Sequence, residues 1–131
     1  MNIKNIGKRT TRPRKLIVEA LSKFSTPVTV NDIHEYLRRK NEAIDLTSIY
    51  RNLELMRKSD AVSVILFGEG KKRYELKDTN DHHHHFFCEN CGDIEDIEMK
   101  EENLLKEIKN NKRFLIRKHN LEFFGLCPKC Q

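Results

Sequence analysis

No stretch of this 131-residue chain approaches the roughly 20 apolar residues that a membrane-spanning helix needs, so a helical membrane protein is excluded. The opening Met1-Asn2-Ile3-Lys4 has no apolar signal stretch, so a cytoplasmic location is expected, where thiols stay reduced. The chain also lacks a His-Glu-x-x-His motif, a nucleophile elbow and a glycine-rich phosphate loop. Without those motifs neither an enzyme nor a small-molecule substrate is expected. Cysteine is scarce as well: there are four, and none stands alone.

Those cysteines form two matching pairs, Cys88-Glu-Asn-Cys91 and Cys127-Pro-Lys-Cys130. Zinc is satisfied by four thiolates in a tetrahedron, and a two-residue spacer lets both sulfurs of a pair face one ion. Cys88, Cys91, Cys127 and Cys130 therefore predict one closed, structural Zn2+ site. Two disulfides are the alternative, which a reducing compartment disfavours. Just before the first pair stands His82-His83-His84-His85. Four thiolates already fill the zinc, so the imidazoles point to a further metal. On an extended strand successive side chains face opposite ways, which groups His82 with His84 and His83 with His85. Two sites follow, each needing more ligands, and the candidates are Glu75, Asp96, Glu102 and His119. Imidazole with carboxylate suits Zn2+, Fe2+ or Mn2+ without choosing sharply among them.

Charge divides the chain. Residues 1–77 hold 17 Lys/Arg against 9 Asp/Glu, and residues 78–131 hold 8 against 11. A basic half suits a polyanion and an acidic, ligand-rich half gathers cations. The basic half predicts three helices. Leu16, Ile17, Ala20, Leu21 and Phe24 make the apolar stripe of the first. After Pro27, Thr29 caps a second with Asp32, and Ile33, Tyr36 and Leu37 face inward. Asp45 caps a third, whose buried stripe is Leu46, Ile49, Leu53 and Met56. Thr47, Ser48, Tyr50, Arg51 and Glu54 stay off that stripe, and the hydroxyls, tyrosine and arginine suit a helix that enters a major groove. Residues 62–67 and 72–76 flank Gly68-Glu69-Gly70 as a hairpin, with Lys71, Lys72 and Arg73 placed for phosphates. Arg9 and Arg14 belong to a basic arm. A tri-helical module that binds protein and not DNA shows the same pattern.

In the second half, residues 82–88 read as a strand entering the first cysteine pair, and residues 101–110 as a helix with Leu104, Leu105 and Ile108 inward. Residues 114–116 and 121–124 read as two strands leading to the second pair. A core this small needs a metal staple.

Taken in order, the basic arm, Thr47-Ser48-Ile49-Tyr50-Arg51-Asn52-Leu53, Tyr74-Glu75-Leu76, the four histidines, Cys88-x-x-Cys91-Gly92 and Cys127-x-x-Cys130 resemble the ferric uptake regulator (Fur) family. The resemblance runs from about Arg9 to Cys130. It implies a cytoplasmic, metal-dependent transcription regulator, usually a repressor, acting as a homodimer on a double-stranded DNA operator. The genes controlled would serve metal uptake and homeostasis or peroxide stress. It implies an α+β fold: an N-terminal winged helix-turn-helix (residues 1–77), a hinge (78–81) and a small α/β dimerisation domain (82–131) stapled by the four-cysteine zinc site. Glu75, His83, His85 and Asp96 match its regulatory site, which takes a second divalent metal, Fe2+, Zn2+ or Mn2+. His82, His84, Glu102 and His119 match a further site, and Tyr50 and Arg51 match contacts to bases and phosphates. Pro27 stands where many members carry a histidine of the regulatory site, so one imidazole fewer is expected there. These motifs leave the iron-, zinc-, manganese- and peroxide-sensing branches open. The competing reading is a zinc-ribbon-type adaptor that binds protein or RNA and senses no metal.

Overall fold

Three helices open the described part of the chain: α1 (Arg12–Lys23), α2 (Val30–Arg39) and α3 (Leu46–Lys58). The computed structural model describes residues 11–77, 83–100, 102–117 and 119–131. Local chemistry starts each helix. Pro13 sits in the first turn of α1, where its missing N–H costs nothing. At α2 the Asp32 N–H donates to Thr29 Oγ1 (3.2 Å) and the Thr29 N–H to Asp32 Oδ2 (3.0 Å), a reciprocal capping box. At α3 the Ser48 N–H donates to Asp45 Oδ1 at 2.9 Å. The stripes then bury Ile17, Ile33, Leu37, Ile49, Leu53 and Met56 in one core. Each such side chain contributes about 1.5–3 kcal/mol by leaving water. Leu46 departs from its expected place and is 42% exposed, because the first residue of α3 precedes the helix's packed turns.

Strands β1 (Val62–Leu66) and β2 (Lys72–Leu76) follow as an antiparallel hairpin, with Val62 opposite Leu76 and Leu66 opposite Lys72. Gly68 (φ 77°) and Gly70 (φ 80°) supply the left-handed turn geometry that only glycine adopts easily. Val28 exchanges two backbone hydrogen bonds with Tyr74, of 3.0 and 2.7 Å, which laces the segment before α2 to the hairpin. Pro27, beside it, is among the fully buried residues. Arg73, expected on the phosphate-facing side, folds back instead. Its guanidinium holds both Glu69 oxygens at 2.8 Å and donates to the Pro27 carbonyl at 3.3 Å.

The chain divides into two units, Met1–Thr79 and Asn80–Gln131. The second contains β3 (His84–Cys88), β4 (Ile94–Ile97), α4 (Glu102–Lys112) and β5 (Glu122–Gly125), with sheet order β4-β3-β5. β3 runs antiparallel to β4 and parallel to β5. A parallel pair needs a crossover, and the segment containing α4 provides it.

Three expectations for this half need correction. Residues 114–116 form no strand: Phe114 and Leu115 are 59% and 80% exposed, and both edges of β3 are already taken by β4 and β5. β4 was not expected, since Ile94-Glu95-Asp96-Ile97 lacks apolar alternation. The left-handed Gly92 (φ 79°) turns the chain back after the first cysteine pair and makes the strand possible. The stripe on α4 is only partly inward within one chain: Leu105 is half-buried, but Leu104 is 45% and Ile108 37% exposed. Among the described residues no helix is long and apolar enough to cross a membrane.

Candidate metal centres and nucleic-acid face

Cys88 ends β3, and the turn that follows brings Cys91 back; the Gly92 N–H donates to the Cys88 carbonyl at 2.9 Å. Cys127 follows β5, and the Glu89 N–H donates to the Gly125 carbonyl at 2.8 Å, which draws the two knuckles together. The four Sγ atoms all lie within 4.8 Å of one another, with Cys91 and Cys127 3.8 Å apart. A tetrahedron with arms of about 2.3 Å has edges of about 3.8 Å, so the donors and their spacing fit zinc. Backbone N–H groups prepare the anion. The Cys91 amide first, then that of Cys127 at 3.4 Å, hold the Cys88 thiol down at about 6. Cys91 is pushed up to about 12: the Asp93 amide pulls it down, but the neighbouring thiols, Cys88 foremost, outweigh that pull. Burial pushes Cys127 up as well.

His83, His85 and Asp96 come together on one face of the second sheet. His85 and Asp96 are register partners across β3 and β4, so their side chains leave the sheet side by side. His85 Nε2 lies 3.6 Å and His83 Nε2 4.0 Å from Asp96 Oδ1, and the two imidazole rings meet edge to face at 4.9 Å. Their ligating nitrogens lie within 4.8 Å of one another. Nitrogen–oxygen edges around a metal with bonds near 2.1 Å are about 3–3.4 Å, so a small contraction suffices to bind one. Glu75 belongs to the other unit, half-buried on β2 opposite Ser63. One carboxylate of this face is invisible to sequence reading: Glu122 on β5 is the other register partner of His85. Only the parallel β3–β5 pairing reveals it.

His84 faces the opposite way and is 4% exposed. Its Nδ1 lies 3.1 Å from the Leu121 carbonyl, which can only accept, so Nδ1 carries the proton and Nε2 the lone pair. That is the tautomer of a metal-binding histidine. The His119 ring centroid is 6.0 Å away. Glu102 is exposed at the start of α4 and, among the described residues, does not join these two as a three-donor group. His82 lies outside the described residues.

On the first unit, α3 presents Thr47 and Arg51 exposed, Ser48 half-buried and Tyr50 44% exposed. Lys71 and Lys72 are exposed at the start of β2. Lys72 Nζ lies 5.7 Å over the Tyr50 ring and donates to its hydroxyl at 3.4 Å, so the helix and the hairpin share one surface. Arg14 is buried on α1 and is not part of that surface, while Arg9 lies outside the described residues. The sequence placed Glu54 off the buried stripe without a role; it joins α3 to β2. Its carboxylate accepts from the Tyr74 hydroxyl at 3.4 Å, and burial first, then Glu54, pushes Tyr74 up to about 12.

Residues 5–124 match the model of the ferric uptake regulator family. The ferric uptake regulation protein of Bacillus subtilis is 36% identical over a match covering 79% of this chain and 71% of that protein. The peroxide operon regulator of the same organism is 30% identical, with 98% of this chain and 88% of that protein covered. Among solved structures, the Vibrio cholerae ferric uptake regulator superposes with a TM-score of 0.83 at 28% identity, covering 95% of this chain and 96% of that one.

Proposed function

The chain belongs to the ferric uptake regulator family, and from that premise we propose that it is a metal-responsive repressor that binds a double-stranded DNA operator as a homodimer in the cytoplasm. The observation that carries the sensing role is the convergence of His83, His85 and Asp96 on one sheet face, apart from the four thiols. A purely structural zinc protein has no use for a second donor set of imidazole and carboxylate.

On this reading residues 1–77 are a winged-helix DNA-binding domain, 78–81 the hinge and 82–131 the dimerisation domain. Cys88, Cys91, Cys127 and Cys130 hold a structural Zn2+. His83, His85, Asp96 and, from the first domain, Glu75 hold the regulatory metal, which is Fe2+, Zn2+ or Mn2+. His84 and His119 form the core of a further site, with His82 and Glu102 proposed on the family's pattern. When bound, the regulatory ion supplies positive charge that carboxylate and imidazole from two domains share. Ligands drawn from both domains restrict how these can move, and the DNA-competent dimer gains, typically by 1–3 kcal/mol. Thr47, Ser48, Tyr50 and Arg51 read the groove, while Lys71 and Lys72 meet phosphates. The homodimer is supported by the apolar surface that one chain leaves uncovered on its second unit: Leu104, Ile108, Phe123, Phe124 and Leu126 are 37–49% exposed. A second copy is the natural cover.

The test is DNA binding by chelated protein with Fe2+, Zn2+ or Mn2+ returned one at a time. Tightening with at least one metal is expected. Equal affinity with and without metal would favour the adaptor reading.

A further inference from the structure

Glu54, which the DNA-binding reading does not use, sits at the centre of a small charged network. It is on α3, one turn beyond Tyr50, and its side chain is 22% exposed. Oε1 accepts from the Tyr74 hydroxyl of β2 at 3.4 Å and lies 3.8 Å from Lys72 Nζ. Oε2 lies 3.1 Å from the Arg57 guanidinium. Lys72 in turn spans Glu54 and Tyr50, with its ammonium 3.4 Å from the phenol oxygen. One carboxylate therefore links the helix to the hairpin and holds a hairpin cation above the aromatic ring of the reading helix.

Three consequences follow from charge alone. Lys72 is neutralised locally, so it contributes less to sequence-independent attraction for phosphates. Tyr50 keeps a fixed orientation, because an ammonium over its ring and at its hydroxyl restricts rotation. A negative charge beneath the DNA-facing surface opposes any duplex that does not repay it with well-placed base contacts. Resting on the DNA-binding reading above, we infer that Glu54 is a specificity-determining positioning residue: by restraining Lys72 on Tyr50 it widens the gap between operator and non-operator DNA.

The experiment uses the full-length, metal-loaded protein and two duplexes. One is selected by the wild-type protein from a random-sequence pool, and the other is a scrambled version of it. Glu54→Gln keeps an acceptor for the Tyr74 hydroxyl and removes only the charge, so the fold is retained. In this variant, affinity for the scrambled duplex should rise about threefold or more, and its log–log salt slope should steepen by up to about one, as Lys72 regains its full attraction for phosphate. Affinity for the selected duplex should rise less, so the ratio of the two falls. Adding Lys72→Ala to Glu54→Gln should abolish that steepening. A purely structural role would lower both affinities together with thermal stability, and that outcome, or an unchanged ratio and slope, overturns the inference. A wild-type protein that selects no duplex with any of the three metals overturns the DNA-binding reading itself.

Discussion

At least two of the four thiols proposed to hold zinc must lose protons before metal can be held at neutral pH. Cys91 is pushed up to about 12 and Cys127 is raised by burial, so both are protonated in the metal-free chain, whereas Cys88 at about 6 is already a thiolate. Protons therefore compete with the metal, and apparent zinc affinity rises with pH across the neutral range. Release of the Cys91 and Cys127 protons contributes about 100-fold per pH unit. Competition with a colorimetric chelator at several pH values checks this, and a flat profile would contradict the thiolate assignment. Cys127→Ser should abolish stoichiometric zinc and unfold the second unit, read by metal analysis and circular dichroism. Pro27 carries a lesson of the same scale. From sequence, Pro27→His looks like a way to restore a missing imidazole. Burial of Pro27 changes that expectation: the variant should lose about 1–3 kcal/mol in urea unfolding and gain little metal affinity. The cysteine pairs and histidines could be read directly, because spacing alone encodes their chemistry. Glu54 and Glu122 could not, since Glu54 meets Tyr74 and Lys72 only when α3 packs on the hairpin, and Glu122 meets His85 only through strand pairing.

Element by element, the helices were legible and the short strands were not. Thr29, Asp32 and Asp45 announced helix starts because capping is a contact over three residues, and the stripes of α2 and α3 needed no partner to be recognised. β4 has two apolar residues in four, and its existence depends on the turn at Gly92. Alternation along β3 did place His83 and His85 on one face and His84 on the other. It yields a prediction in pairs: His85→Ala and Asp96→Ala should weaken metal-dependent DNA binding alike, whereas His84→Ala and His119→Ala should act on the stability of the second domain. Titrating metal into each variant with DNA binding as readout separates the classes. Identical behaviour of His84 and His85 variants would remove the two-face scheme. For α4, Ile108→Glu should shift the protein from dimer to monomer in sedimentation velocity without loss of helix content. In the proposed homodimer the stripe read as inward would face the partner copy.

For the molecule as a whole, the basic first half and acidic second half anticipate a division of labour between DNA and metal. Arg51→Ala should cost about 1–3 kcal/mol on the operator and relax discrimination, if Arg51 reads a base. Lys71→Ala should weaken binding to every duplex and flatten the salt dependence by about one unit of slope. Fluorescence anisotropy over a salt series measures both. A last consequence concerns how the protein is made. Cys91 and Cys127 are 36 residues apart, and β3 waits for β5 to complete its sheet. At translation rates of roughly 5–20 residues per second, the first cysteine pair spends about 2–7 seconds on the nascent chain as a lone dithiol. The domain proposed to read DNA has already emerged by then. In zinc-starved cells the newly synthesised pool is therefore expected to hold chains with a folded first domain and an unfinished second one, unable to dimerise.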